Sequence, residues 1–136
     1  MRRLPALLCL PALALALSAC ASTVSTASFK GQQHEVAQTI SNLQADATAG
    51  EQKKLCANDL AAAVVNKLGG KKGCEEAIKK QLAEIDSLEV SVQSVKLAAG
   101  GTSATAAVRS VYEGKKLPSS VSLVKEAGKW KIAALG

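Results

Sequence analysis

Residues 74–97 read CEEAIKKQLAEIDSLEVSVQSVKL, and the spacing of apolar side chains changes within this stretch. In its first half they recur every three or four positions: Cys74, Ile78, Leu82 and Ile85. In its second half they alternate: Leu88, Val90 and Val92. The first spacing predicts an α-helix with one apolar face, and the second predicts a half-buried β-strand.

Two further helical spacings precede this stretch. Apolar residues on one face predict a first helix from Gln32 to the Gly50 stop: Val36, Ile40, Leu43 and Ala47. A second helical stretch is predicted over 51–68, with an inward face: Leu55, Cys56, Leu60, Val64 and Leu68. Asn58 and Asp59 could instead cap a new helix, so a break there stays open. The glycines in 69–73 predict a flexible loop before the third helix.

Alternation continues after residue 92, with turn signals between the segments. Val95 and Leu97 follow the other phase, which predicts a bulge near Gln93-Ser94. Gly100-Gly101 predicts a hairpin turn. Strands are expected over 104–113 and 117–125, the latter with Pro118 near its start, and in the last segment Trp130, Ile132 and Ala134 alternate. Helices followed by an antiparallel meander predict an α+β domain over 32–136, with helices packed on one face of a four-stranded sheet.

This order of elements is similar to that of a known superfamily. Three helices, the Ala49-Gly50-Glu51 step, four strands and the terminal Gly128-Lys129-Trp130-Lys131-Ile132 resemble the cystatin-like cone. More narrowly, they resemble the SnoaL-like (nuclear-transport-factor-like) domains of small bacterial lipoproteins. The resemblance covers residues 32–136. It implies a cone-shaped sheet, and some members are isomerases or dehydratases that use an Asp or a His–Asp pair inside the cone.

The N-terminus has the pattern of an export signal. Met1-Arg2-Arg3 is cationic, residues 4–17 carry no charge, and Leu17-Ser18-Ala19-Cys20 resembles the lipobox of bacterial lipoprotein precursors. The resemblance implies a signal peptide over 1–19, a diacylglycerol on Cys20 and an anchored mature chain facing the extracytoplasmic side of the cell membrane. The Ser/Thr/Ala-rich segment that follows predicts a tether over 20–31. The alternatives are an uncleaved membrane helix, which the short apolar run disfavours, and an ordinary signal peptide.

Two of the four cysteines remain after export and lipidation. Cys9 leaves with the signal and Cys20 carries the lipid, so Cys56 and Cys74 are left. A single remaining pair in an exported chain predicts a structural disulfide. A metal site or a redox dithiol is the alternative, but the chain has no CxxC motif and its one histidine is distant. We therefore predict no metal.

Charge and composition exclude one class of partner. The full chain has a formal net charge of +6 and an aromatic content of 2%. After the signal peptide, Arg109 is the only arginine, so both the arginine fork for guanine edges and the aromatic platforms for stacking are lacking. We expect no nucleic-acid partner, a solvated lysine surface, and at most a weak preference for anionic lipid headgroups.

Candidate chemistry is sparse. His34 stands alone at the start of the first helix, and Asp46, Asp59 and Asp86 have no partner at a useful spacing. Without an acid–base pair or a phosphate, hydrolase or metal motif, the sequence predicts no catalytic residues and no cofactor.

Two strand residues stand out, because Tyr112 and Arg109 are the possible pocket residues among small aliphatic neighbours. The leading hypothesis is a non-catalytic binding or accessory module, for an unknown protein or a small apolar ligand. The alternative is a SnoaL-like enzyme of the isomerase or dehydratase type.

Overall fold

A computed structural model of the chain describes residues 25–84, 89–112 and 114–136. Within these residues helices precede strands, which confirms the α+β class: α1 Gln32–Thr48, α2 Gln52–Lys54, a π-helical turn Leu55–Asp59, α3 Ala62–Lys67, α4 Gly70–Ala83, β1 Glu89–Leu97, β2 Ser103–Tyr112, β3 Lys115–Glu126 and β4 Lys129–Leu135. The predicted signal peptide over 1–19 and the lipid site at Cys20 lie outside the described residues. No helix among the described residues has the length and apolar character needed to cross a bilayer.

The four strands form one antiparallel meander in the order β1-β2-β3-β4. The register between β1 and β2 shifts between Val92 and Ser94, which confirms the predicted bulge. Gly100 and Gly101 have φ of 91° and 68°, values that favour glycine, and they form the predicted turn. Pairing of β3 with β4 begins only at Val121, so Pro118 lies where β3 needs no hydrogen-bond partner on that side.

The core lies between α1 and the inner face of the sheet. Val36 and Ile40 of α1 are buried against β-strand residues that are at most 1% exposed: Ala106, Leu123 and Ile132. The helix α1 contacts β1, β2 and β4, whereas α4 packs on α2, α3 and the π-helical turn. Helices therefore cover one face of the sheet as predicted, with α4 in an outer position.

The predicted second helix is broken where the sequence left a break open, but neither Asn58 nor Asp59 caps the new helix. Leu60 is extended and forms a parallel bridge with Ile132 of β4. The N-cap residue of α3 is Ala61, and the Ala62 N–H donates to a Glu126 carboxylate oxygen at 2.9 Å. A side chain 64 residues away thus replaces the local cap.

The expectation of a flexible loop over 69–73 is wrong. Gly69 and Gly70, with φ of 95° and 81°, reverse the chain, and α4 already begins at Gly70. Gly73 lies inside this helix. A glycine is needed there because a Cβ would be 2.1 Å from the Leu68 carbonyl oxygen. This glycine permits the close approach of two helices and does not mark a loop.

The strand β4 contains a second bulge that the sequence did not predict. Its register against β3 shifts between Ser122 and Leu123, which pair with Ala134 and Ile132. Trp130 and Ile132 face the core as expected, but the extra residue turns Ala134 to the other face, where it is exposed.

Candidate functional site

A small cavity lies between α1 and the inner face of the sheet, and we call it the inner cavity. Its volume is about 200 Å³, and most of its lining is aliphatic. The lining residues are Ile40, Leu43, Gln44, Val90, Val108, Ser110, Ser119, Val121 and Leu135. None of these side chains titrates between pH 2 and 12, so the inner cavity offers van der Waals contact and no proton transfer.

Strand alternation and one buried amide shape the inner cavity. Ala104, Ala106 and Val108 of β2 are buried on the inner face, and Val108 lines the cavity. Gln44, which is 5% exposed, accepts the Val90 N–H at 3.1 Å through its Oε1 atom. This hydrogen bond holds the start of β1 against α1 at the cavity wall.

The structure describes the side chain of only one of the two predicted pocket residues. Arg109 is exposed on the outer face of the sheet, in register with Ser91 and Pro118, so it does not line the inner cavity. The side chain of Tyr112 lies outside what the structure describes. His34 is exposed, and its Nδ1 lies 3.1 Å from the Thr26 carbonyl oxygen.

The predicted disulfide is confirmed. Cys56 and Cys74 are bonded, with an S–S distance of 2.02 Å and a Cα–Cα distance of 6.1 Å. Both residues are buried, and the bond joins the π-helical turn to α4. In the described part of the chain no group of three or more His, Cys, Asp and Glu side chains is arranged to hold a metal ion.

A second cavity, which we call the edge cavity, lies where α1, the π-helical turn and the start of β4 meet. Its volume is about 350 Å³, and its lining is mostly polar. The residues around it are Glu35, Thr39, Asn42, Asn58, Asp59, Gly128, Lys129, Trp130 and Lys131. Glu35 and Asp59 come from the helical side and Lys129 and Lys131 come from β4, and the Lys131 ammonium reaches the Asn58 carbonyl oxygen of the π-helical turn.

A carboxyl pair beside the edge cavity corrects the expectation that Asp59 has no partner. Asp59 is 5% exposed, and its Oδ2 atom has no hydrogen-bond partner among the described residues. Burial raises the pKa of Asp59 to about 7, and the hydrogen bond to Asp46 and the negative charge of Asp46 act in the same direction. Lys131 and Lys54 oppose this rise in the pKa. The Asp59 carboxyl therefore keeps its proton up to near neutral pH.

Sequence spacing contained one signal for this pair. Asp59 follows Leu55 by four residues and Cys56 by three, so a helix places it on the same buried face. A carboxyl on an apolar face needs a partner. The partner, Asp46, is on α1 and has no sequence spacing that reveals the contact.

Several other polar groups around the edge cavity are bonded to neighbouring groups. The indole Nε1–H of Trp130 donates to Glu35 Oε2 at 3.3 Å, and Trp130 itself is buried. Lys125 Nζ lies 5.5 Å from the centroid of the Trp130 ring and 4.0 Å from Glu35 Oε2. The Lys131 ammonium donates to the Asn58 carbonyl oxygen.

Comparisons with known proteins give structural likeness only. No protein-family model matches the chain, and no curated protein matches it. An NTF2-like designed protein with five substitutions is 18% identical, with a TM-score of 0.49, covering 74% of this chain and 95% of its own. A de novo designed protein with a curved β-sheet is also 18% identical, with a TM-score of 0.38, and the match covers 48% of this chain and 61% of that one. Neither likeness assigns a function to this chain.

Proposed function

We propose that the chain is a membrane-anchored extracytoplasmic lipoprotein whose α+β domain is a non-catalytic binding module for a small apolar molecule. The inner cavity is the observation that carries the binding part of this proposal. Its aliphatic walls and its lack of a titratable side chain favour an uncharged, apolar occupant.

The volume of the inner cavity sets the size of that occupant. A dry, aliphatic cavity of about 150 Å³ in another protein holds a benzene molecule. At about 200 Å³, the inner cavity has room for a molecule of about the size of toluene. Ser110 and Ser119 add hydroxyl groups at the wall, so an occupant with one weakly polar end also fits.

Titration with toluene, followed by backbone amide NMR shifts, tests this binding. We expect saturable shifts at Ile40, Val90 and Val121, and their loss in Ser119→Leu, because the larger side chain fills the cavity. Ser120→Leu is the matched control, since the neighbouring residue is exposed and alternates to the other face. Equal binding by both variants, or no saturable shift in the unmodified protein, contradicts the proposal.

The anchoring part rests on the sequence Leu17-Ser18-Ala19-Cys20. Phe29 packs against the core, so only about eight residues separate the lipid site from the folded domain. Their fully extended reach is about 30 Å, which keeps the domain near the membrane surface. Metabolic labelling with a fatty-acid analogue is expected to mark the unmodified protein and not Cys20→Ser. Label on the Cys20→Ser protein contradicts the anchor assignment.

An isomerase or dehydratase of the SnoaL-like type is the second candidate, and the Asp46–Asp59 pair favours it. A carboxyl with a pKa of about 7 is suited to proton transfer at neutral pH. The pair lies beside the edge cavity and not in the inner cavity, which supports the binding module instead. Hydrogen–deuterium exchange at the α-carbon of cyclohexanone separates the two candidates. Exchange faster than in buffer, and lost in Asp59→Asn, supports the enzyme, whereas buffer rates for both proteins support the binding module.

A further inference from the structure

The inner cavity opens at one end of the sheet, and an apolar row leads out of it along β3. Leu135 lines the cavity and is 68% exposed, so it marks the opening. Ser119 and Val121 line the wall, and Leu117, two residues before Ser119, is 49% exposed. The pairing of β2 with β3 is regular throughout, so alternation places Leu117 on the same inner face as Ser119 and Val121. The apolar surface therefore continues beyond the cavity.

Leu117 and Leu135 are the large apolar side chains that remain exposed in the described part of the chain. Each lies two strand positions from Ser119: Leu117 along β3, and Leu135 diagonally across to β4, where it pairs with Val121. Both therefore border the opening of the inner cavity. Apolar surface left in water is unfavourable in proportion to its area, so a ligand that covers these two side chains as it leaves the cavity gains binding energy.

A positive charge follows Leu117 on the same face of β3. Lys115 is exposed, and alternation places it on the inner face two residues beyond Leu117. From Ser119 to Lys115 the strand advances by roughly 13 Å. The other charged strand residues described at this end alternate to the outer face: Glu89, Arg109 and Lys116. The inner face of β3 thus runs from buried aliphatic side chains, through an exposed leucine, to a lysine.

We propose that the inner cavity holds the tail of a single-chain aliphatic carboxylate, with the chain passing Leu117 and the carboxylate group lying at Lys115. This inference rests on the proposed binding of an apolar molecule and names its class. The uncharged tail is the part enclosed by walls that lack a titratable group, and the charged head stays outside in water. A compact ring would fill the cavity but leave Leu117 uncovered.

The volume of the inner cavity favours one chain over a bilayer lipid. About 200 Å³ has room for a molecule of about the size of toluene, and the tail of octanoate has as many carbon atoms as toluene. The two acyl chains of a membrane lipid need more space than this. The further length of a longer single chain would lie on Leu117. An ion pair with an exposed lysine adds little affinity, so Lys115 selects the charge of the head, and the length of the tail sets the affinity.

Affinities of straight-chain compounds, measured by the amide NMR shifts of Leu117, Ser119 and Val121, test this inference. The compounds are octanoate, decanoate and octylammonium, each below its micelle concentration at about pH 7.5, with toluene as the compact reference. Full burial of one methylene strengthens binding about fourfold. We therefore expect decanoate, whose extra carbons partly cover Leu117, to bind at least about threefold more tightly than octanoate. Octanoate should bind at least about threefold more tightly than octylammonium, because Lys115 attracts one head group and repels the other.

Variants at exposed positions separate the contribution of the head from that of the tail. Lys115→Glu should reverse the preference between octanoate and octylammonium, whereas Lys116→Glu, with the same change of net charge on the outer face, should keep it. Leu117→Ser should remove the gain in affinity from octanoate to decanoate and leave toluene binding unchanged, because Leu117 is outside the cavity lining.

Equal binding of octanoate and octylammonium by the unmodified protein overturns the inference. So does the same response to Lys115→Glu and Lys116→Glu, or an unchanged gain for decanoate in Leu117→Ser. Saturable binding of toluene without binding of octanoate also overturns it and leaves the proposed function standing, whereas no saturable binding by any of the four compounds overturns both.

Discussion

Replacing Asp59 by Asn should change how the stability of the protein depends on pH. In the folded protein burial and Asp46 raise the pKa of Asp59 from 3.8 to about 7. In the unfolded chain this carboxyl is solvated and regains its ordinary pKa. Between these two values the folded protein binds more protons than the unfolded chain, so the free energy of unfolding falls as the pH rises from about 4 to 7. The Asp59→Asn variant has no proton to release and lacks this contribution.

The size of the effect follows from the change in pKa. A rise from 3.8 to about 7 corresponds to an upper limit of about 4 kcal/mol across the pH window. The edge cavity lies beside the carboxyl and can admit water, which screens the ionised form. We therefore expect roughly 2 kcal/mol. The variant should be more stable than the unmodified protein above about pH 7, because it removes a buried negative charge, and should lose this advantage by about pH 4.

Urea unfolding at a series of pH values between about 4 and 8 measures the difference between the two proteins. Taking the difference removes the contributions of other carboxyls. The carboxyl ¹³C shift of Asp59 gives its pKa directly in the same range. Asp46→Asn should lower the pKa of Asp59, because the variant removes one of the groups that raise it.

Glu76→Gln on the exposed face of α4 is the control for removal of a surface charge. It should change the free energy of unfolding by less than about 0.5 kcal/mol throughout this window. A stability difference for Asp59→Asn that is constant between about pH 4 and 8 would refute the reasoning. So would a carboxyl shift that titrates near pH 4.

Three further outcomes are expected. Reduction of the Cys56–Cys74 bond, which closes a separation of 18 residues, should lower the free energy of unfolding by about 3 kcal/mol while the far-UV circular dichroism keeps its native shape; an unchanged midpoint in urea would contradict this. Gly73→Ala should lower the free energy of unfolding by about 2 kcal/mol, because the new Cβ meets the Leu68 carbonyl oxygen. Alanine otherwise favours a helix over glycine, so a raised melting temperature would count against the close approach. Trp130→Phe should lower the free energy of unfolding by about 2 kcal/mol, because the indole volume and the hydrogen bond to Glu35 are lost. Unfolding is followed by circular dichroism, because the chain has no other tryptophan to give a fluorescence signal. A loss below about 0.5 kcal/mol would show that the indole N–H contributes little.

Apolar periodicity predicted the elements that bury one face against the core. The first helix, the order of four strands, the β1 bulge and the Cys56–Cys74 bond follow from local spacing or from a count of cysteines. The bulge in β1 was visible because polar Gln93 and Ser94 separate two phases of apolar residues. The bulge in β4 was not visible, because Ile132 and the three residues after it are all apolar and show no change of phase.

Features that depend on distant contacts were not predictable from spacing. The helix break at Leu60 is stabilised by pairing with Ile132, and the start of α3 is capped by Glu126 from the end of β3. The Asp46–Asp59 pair spans two helical segments and a turn. In each case the decisive partner comes from another element, so tertiary structure overrides the local rule.

The break after the π-helical turn also determines which edge of the sheet is accessible to other chains. An uncovered outer strand can pair with a strand of a second molecule and extend the sheet between molecules. Leu60 and Ala61 occupy the outer side of β4 at Ile132, where the Ala61 N–H bonds the carbonyl oxygen that a foreign strand would need. At the opposite edge, the bulge in β1 interrupts the regular hydrogen-bonding row. Both borders of the sheet are therefore poor templates for aggregation, even where many copies are crowded together.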